Sequence, residues 1–105
     1  VAVEPALARS NLLGARVDIP EHVVHRAFPA EVVVLNLETG RYHGLNPVAG
    51  RMLEELDRQE TVEAAAHVIA DEYGQPREEI ERDVCKLCRD LFRRGLISLD
   101  VSAGR

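Results

Sequence analysis

The chain has 105 residues, 46% hydrophobic and 30% charged, with thirteen basic against eighteen acidic residues for a formal charge of −5. That length suits one domain with a modest core and is too short for two. The acidic balance argues against a protein that holds a phosphate backbone with clustered positive charge, so nucleic acid is not the expected main partner, although a local basic patch remains compatible with it.

No apolar run approaches the roughly 18 residues of a membrane span, so no membrane partner is expected. The opening VAVEPALARSNLLG lacks the basic-then-apolar order of a secretion signal. With no Trp, two Tyr and two Phe, the core must come from Leu, Val, Ile and Ala. Two cysteines do not make a disulfide framework, and a reducing cytoplasm is the expected setting.

Residues 1–15 show no clean period and contain Pro5 and Gly14; they read as a flexible arm. Val17-Asp18-Ile19-Pro20 is extended, because the residue before a proline is pushed out of the helical region. His22 to Ala27 is the first strand of a sheet, interrupted by Phe28-Pro29-Ala30. Glu31 to Leu37 is the strongest strand, with Val32, Val33, Val34, Leu35 and Leu37 suited to a pleated, mostly buried surface. Glu38-Thr39-Gly40 fits a three-residue hairpin loop with Gly40 in the left-handed position. Arg41 to Leu45 returns as the partner strand, with Arg41, His43 and Leu45 on one face and Tyr42 and Gly44 on the other. Gly44, with no side chain to pack, marks close approach of another backbone.

The rest is helical. Asn46 caps and Pro47 opens a helix ending near Arg58, with Val48, Met52, Leu53 and Leu56 as its apolar stripe. Thr61 caps a second helix, which places Val62, Ala65, Ala66, Ile69 and Tyr73 on one face and stops at Gly74. Pro76 opens the third and longest helix; Glu78, Glu79 and Glu81 lie toward its positive end, and Arg93 and Arg94 toward its negative end. Ile80, Val84, Leu87, Cys88 and Leu91 form its stripe, and Gly95 stops it. Leu96 to Leu99 leaves as a short extended segment, and 101–105 reads as a flexible tail. The expected fold is α+β and winged helix-turn-helix-like, a three-stranded antiparallel sheet followed by three helices within residues 16–100.

Cys85 and Cys88 have the C-x-x-C spacing, but deep inside a helix rather than at a helix N-terminus after a strand, where a redox pair sits. A zinc site would need two further ligands, and there is no second C-x-x-C. Cys88 therefore reads as a small core residue and Cys85 as its border. His22 and His25 point to opposite faces of a strand and do not chelate together. His43 and His67 lack sequence neighbours that would complete a metal set. With no G-x-S-x-G, Walker or G-x-G-x-x-G motif, the residues support neither an enzyme nor a metal or cofactor.

The winged-helix order keeps a DNA-binding regulator as an alternative, its third helix entering the major groove by the N-terminal end. That end reads Pro76-Arg77-Glu78-Glu79-Ile80-Glu81, whose carboxylates would meet phosphates with repulsion. The basic Arg82, Lys86, Arg89, Arg93 and Arg94 are interleaved with Asp83 and Asp90, as on a salt-bridged, solvated face. What remains is the edge strand Arg41 to Leu45. An extended peptide can add there as a fourth strand, its alternate side chains entering a groove beside the third helix. The N-terminal arm or a second copy can also cover such an edge, and the residues leave these readings open; a monomer or weak dimer is expected. A Pro at His43 is expected to remove a main-chain donor from this edge without touching the core.

Thr39-Gly40-Arg41-Tyr42, Leu45-Asn46-Pro47, Glu72-Tyr73-Gly74 and Arg94-Gly95-Leu96-Ile97 stand in a characteristic order and spacing. From about Val17 to Leu99 the chain resembles the PqqD-like family, small domains that recognise the leader segment of a ribosomally made peptide and present it to modifying enzymes. The resemblance implies a non-catalytic domain with the leader antiparallel along Arg41, Tyr42, His43, Gly44 and Leu45. It further implies contacts from the third helix through Val84, Leu87, Cys88 and Leu91, with Arg82 and Asp83 selecting leader side chains. The pyrroloquinoline quinone members lack the T-G-R-Y turn. The L-N-P helix start and the small size look more like the recognition subunits of lasso peptide biosynthesis, which pass a precursor to a separate leader protease and an ATP-dependent cyclase.

Overall fold

The computed structural model describes residues 7–101. A short helix α1 (Arg9–Leu13) leads into β1 (Arg16–Asp18), then β2 (Val23–Ala27), β3 (Val32–Asn36) and β4 (Tyr42–Leu45). Three longer helices follow, α2 (Pro47–Arg58), α3 (Val62–Tyr73) and α4 (Arg77–Arg93), and the last element is β5 (Ser98–Asp100). Strands β2, β3 and β4 form an antiparallel sheet in that order, with β4 at one edge. This is the expected α+β arrangement of a three-stranded sheet followed by three helices.

The sheet packs on the helices through one face, as the two-residue period of a strand requires. Val32, Val34 and Asn36 of β3 are buried, whereas Val33 and Leu35 are half-buried on the opposite face. The helix starts follow local chemistry: the Asn46 side chain accepts from the Ala49 N–H at 2.8 Å, and the Thr61 hydroxyl accepts from the Ala64 N–H at 3.1 Å. Leu53, Leu56, Val62, Ile69, Val84, Cys88 and Leu91 meet in one core. Val48 and Tyr73 leave their expected stripes: they lie at the first turn of α2 and the last residue of α3, 44% and 43% exposed. Cys85 is not a border residue, being as fully buried as Cys88. Among the described residues no helix is long and apolar enough to cross a membrane.

Both chain ends are tied into the body among the described residues. Of the flexible arm expected over 1–15, residues 1–6 lie outside the described residues, and the remainder is packed. Leu7, Leu12 and Ala15 are core residues. Polar links reinforce that burial. The Ala15 carbonyl accepts from the Val62 N–H at 2.9 Å, the Leu7 carbonyl accepts from Arg89 Nε at 2.8 Å, and Arg9 meets Glu81 at 2.9 Å. The extended segment after Gly95 is also paired: Val17 lies opposite Leu99 and Asp18 opposite Ser98 in an antiparallel β1–β5 ribbon. Of the expected C-terminal tail, 102–105 lie outside the described residues.

Candidate functional site

The β3–β4 hairpin is built around Asn36. Its buried side-chain oxygen accepts from the backbone N–H of Glu38 at 2.9 Å and of Thr39 at 3.3 Å, and its carbonyl accepts from the Gly40 N–H at 2.8 Å. Gly40 takes a φ of +74°, as expected for the residue that closes the turn. The Asn36 N–H donates to the Arg41 carbonyl at 2.9 Å, while the Leu37 N–H donates to the His22 carbonyl at 2.6 Å. These two bonds fix the phase of the whole sheet. Main-chain groups of Asn36, Val34 and Val32 aim at β4, and those of Leu37, Leu35 and Val33 aim at β2.

With Val34 opposite His43 and Val32 opposite Leu45, the main-chain groups of His43 and Leu45 belong to the hairpin. Tyr42 and Gly44 direct their N–H and C=O to the open edge, and among the described residues no other segment pairs with them. This corrects the expectation for a Pro at His43: the donor it would remove serves β3, not the edge. The edge donors are those of Tyr42 and Gly44.

Beside this edge the chain turns at Leu45 into α2. The first turns of α2 and the facing side of α4 enclose a groove of about 510 Å³, lined by Asn46, Val48, Ala49, Met52, Asp83, Lys86, Leu87, Arg89, Asp90 and Arg93. Its floor is apolar and its rim carries both signs of charge. At the turn end of β4 a second cavity of about 560 Å³ is lined by Asn36, Thr39, Arg41, His43, Arg93 and Arg94. Arg93 borders both, so groove and cavity adjoin at that side chain, the cavity beside β4 and the groove beside the helix start that follows it.

The expected site residues divide accordingly. Arg41 and His43 line the cavity, Asp83 and Leu87 line the groove, and Tyr42 and Gly44 are exposed on the edge. Arg82 is exposed but lines neither. Val84, Cys88 and Leu91 are core residues at no more than 1% exposure, and Leu45 is buried under the sheet. None of them lines the groove, because the core already encloses their side chains. Val48, Ala49 and Met52 take that place. The one sequence signal for them was an apolar residue, Val48, directly behind a capped helix start.

The cysteines and His67 lie elsewhere. Burial raises both thiols above their ordinary range, Cys88 to about 12. His67, expected to lack acidic neighbours, has two in space: Glu63, His67 and Glu81 each offer a ligand atom within 4.8 Å of one another. Both Glu81 oxygens are engaged, one with His67 Nε2 at 2.7 Å and one with Arg9 at 2.9 Å. Those bonds, His67 first, hold the Glu81 carboxyl below its usual range. The guanidinium beside Glu81 opposes a bound cation, and Arg9, Glu81 and His67 together fasten α1 to α4 and α3.

The described residues thus form a small α+β domain with an open sheet edge beside an apolar groove. The family model for Coenzyme PQQ synthesis protein D (PqqD) matches residues 31–97, and the chain belongs to that family. Among solved structures it is similar to TbiB1 in complex with the TbiA(beta) leader peptide, at 32% identity and a TM-score of 0.68 over 77% of this chain and 94% of that one. It also shares its fold with lasso peptide synthetase B1 complexed with the leader peptide, at 22% identity and a TM-score of 0.71 over 79% of this chain and 98% of that one. No curated protein matches.

Proposed function

We propose that the chain binds the leader segment of a ribosomally made precursor peptide, without chemistry of its own, and delivers it to modifying enzymes. The leader adds as a fourth strand to β4, bonding the outward main-chain groups of Tyr42 and Gly44, and its inward side chains enter the groove between α2 and α4. Arg41, Tyr42, His43, Gly44, Asp83, Leu87, Val48, Ala49 and Met52 form the contact surface. The observation that carries this reading is an unpaired sheet edge followed directly by a helix start, Asn46 to Met52, that lines an apolar groove. The 32%-identical relative solved with a leader peptide supports it. In this reading, which follows the sequence resemblance to lasso peptide recognition subunits, the receiving enzymes are a leader protease and an ATP-dependent cyclase, working in the cytoplasm. The first turn of α4, with Glu78 and Glu79 in place, disfavours a phosphate backbone as ligand.

Fluorescence anisotropy with a labelled leader peptide, taken from the precursor encoded beside this chain, tests the reading. Saturable binding at micromolar or tighter affinity, weakened roughly thirtyfold in Tyr42→Pro, is the expected result. No binding of that leader, together with steeply salt-dependent binding of duplex DNA, would overturn it.

A further inference from the structure

In a chain of net charge −5, the cavity at the turn end of β4 gathers Arg41, His43, Arg93 and Arg94 around Asn36 and Thr39, with no carboxylate in its lining. Arg41 is exposed, and its guanidinium forms no ion pair among the described residues. Arg94 lies 3.3 Å from Asp90 and directs Nη1 at His43 Nδ1, 3.1 Å away. Arginine only donates, so Nδ1 of His43 is the acceptor and Nε2 carries the ring proton.

The sheet phase places any added strand in register with this cavity. Tyr42 and Gly44 form the hydrogen-bonded pairs with the incoming chain, so the residue opposite His43 occupies a non-bonded position, where facing side chains lie closest. Its side chain shares the inward face with His43 and Arg41. In an antiparallel strand the residue two places earlier lies opposite Leu45, next to the groove at Val48 and Leu87. The bound segment thus presents two inward side chains, two residues apart, to surfaces of opposite character.

We propose that the cavity selects a carboxylate: the docked peptide carries Asp or Glu opposite His43, two residues C-terminal to the apolar side chain that enters the groove. This rests on the leader-binding reading and states its specificity. A guanidinium cluster matches a carboxylate in charge and in paired-donor geometry.

The test pans a displayed library of random 20-residue peptides against the full chain and measures the enriched peptides by anisotropy. The expected result is an apolar-x-acidic pattern in peptides whose binding Tyr42→Pro weakens. Changing the acidic residue to its amide should weaken binding about tenfold. Arg41→Glu should do the same, and a peptide with Lys in place of the acidic residue should recover part of the loss. Tyr42→Pro-sensitive peptides with no acidic residue at that spacing, or an amide change without effect, would overturn the carboxylate assignment and leave leader binding intact. Enrichment only of peptides insensitive to Tyr42→Pro would overturn the edge and both readings with it.

Discussion

Two adjacent substitutions separate the binding edge from the hairpin that supports it. Tyr42 is the first residue of β4, 71% exposed, with its N–H on the open side. Proline there removes an outward donor and puts a ring where the incoming strand would approach, so both main-chain bonds of that pair are lost. At about 1 kcal/mol net for each bond, the loss is about 2 kcal/mol, or roughly thirtyfold in Kd. The fold should lose less than about 1 kcal/mol, because edge proline with a solvent-facing nitrogen is tolerated. His43→Pro has the opposite profile. It takes the donor from the Val34 carbonyl on a buried strand residue, and breaks the contact to Arg94, at about 1–3 kcal/mol of stability. Urea denaturation beside leader titration reads both. A Tyr42→Pro protein that binds like the parent refutes the docking edge; one that unfolds early while His43→Pro does not refutes the ladder phase.

Leu87→Asp should weaken leader binding and, because Leu87 also packs against the core from the groove side, lower the urea midpoint without preventing folding, whereas Val84→Asp, three residues earlier and fully buried, should prevent folding, as circular dichroism would show. A Cβ on Gly50 would fall inside the Val32 side chain where α2 crosses β3, so Gly50→Ala should cost about 1–3 kcal/mol in urea despite the better helix former. Glu55, almost fully buried, accepts from Gln59, Arg51 and Arg58, and these bonds, Gln59 first, hold its carboxyl below the ordinary 4.5. A lowered folded value means that the stabilisation is complete above that ordinary value and disappears as pH falls through the folded one; Glu55→Gln should cost about 2 kcal/mol at neutral pH and flatten the acid limb of a stability profile. For Cys88 the shift is upward, so its contribution is complete below the ordinary 9.0 and is lost as pH rises from there toward about 12; thiol alkylation below that window should proceed only at the rate of unfolding.

Most element boundaries could be read from local chemistry. Asn46, Thr61, Gly74 and Gly40 each act within a few residues of themselves, and the structure uses them as caps and turns. The packed N-terminal segment was not legible, because its evidence is non-local: Leu7 meets Arg89 and Val17 meets Leu99 across some eighty positions. Asn36 was missed as a hairpin pivot, since a polar residue ending an apolar run looks like the end of burial. In α4 the 3.6-residue period found the apolar face but could not assign its neighbour. Val84, Cys88 and Leu91 share the apolar face with Leu87, but the core encloses their side chains. The groove uses the edge of that face, Leu87, with Asp83, Lys86 and Asp90 beside it, and the charged three look like ordinary solvated surface until α2 is seen beside them.

An open edge is a hazard as well as a site, because a second copy could pair with it. The antiparallel register that uses both outward residues of each copy sets Tyr42 opposite the other copy's Gly44. His43 then faces its own counterpart, and two sets of Arg41, Arg93 and Arg94 converge on the same face. Guanidinium groups brought together in a narrowing space repel, and the short strand offers only two outward residues on each side to offset that repulsion. A peptide with a carboxylate at the central position turns the same charges into an attraction. The cationic cavity thus bears on both problems at once, opposing self-association and favouring an acidic guest, without closing the edge to the strand it is built to receive.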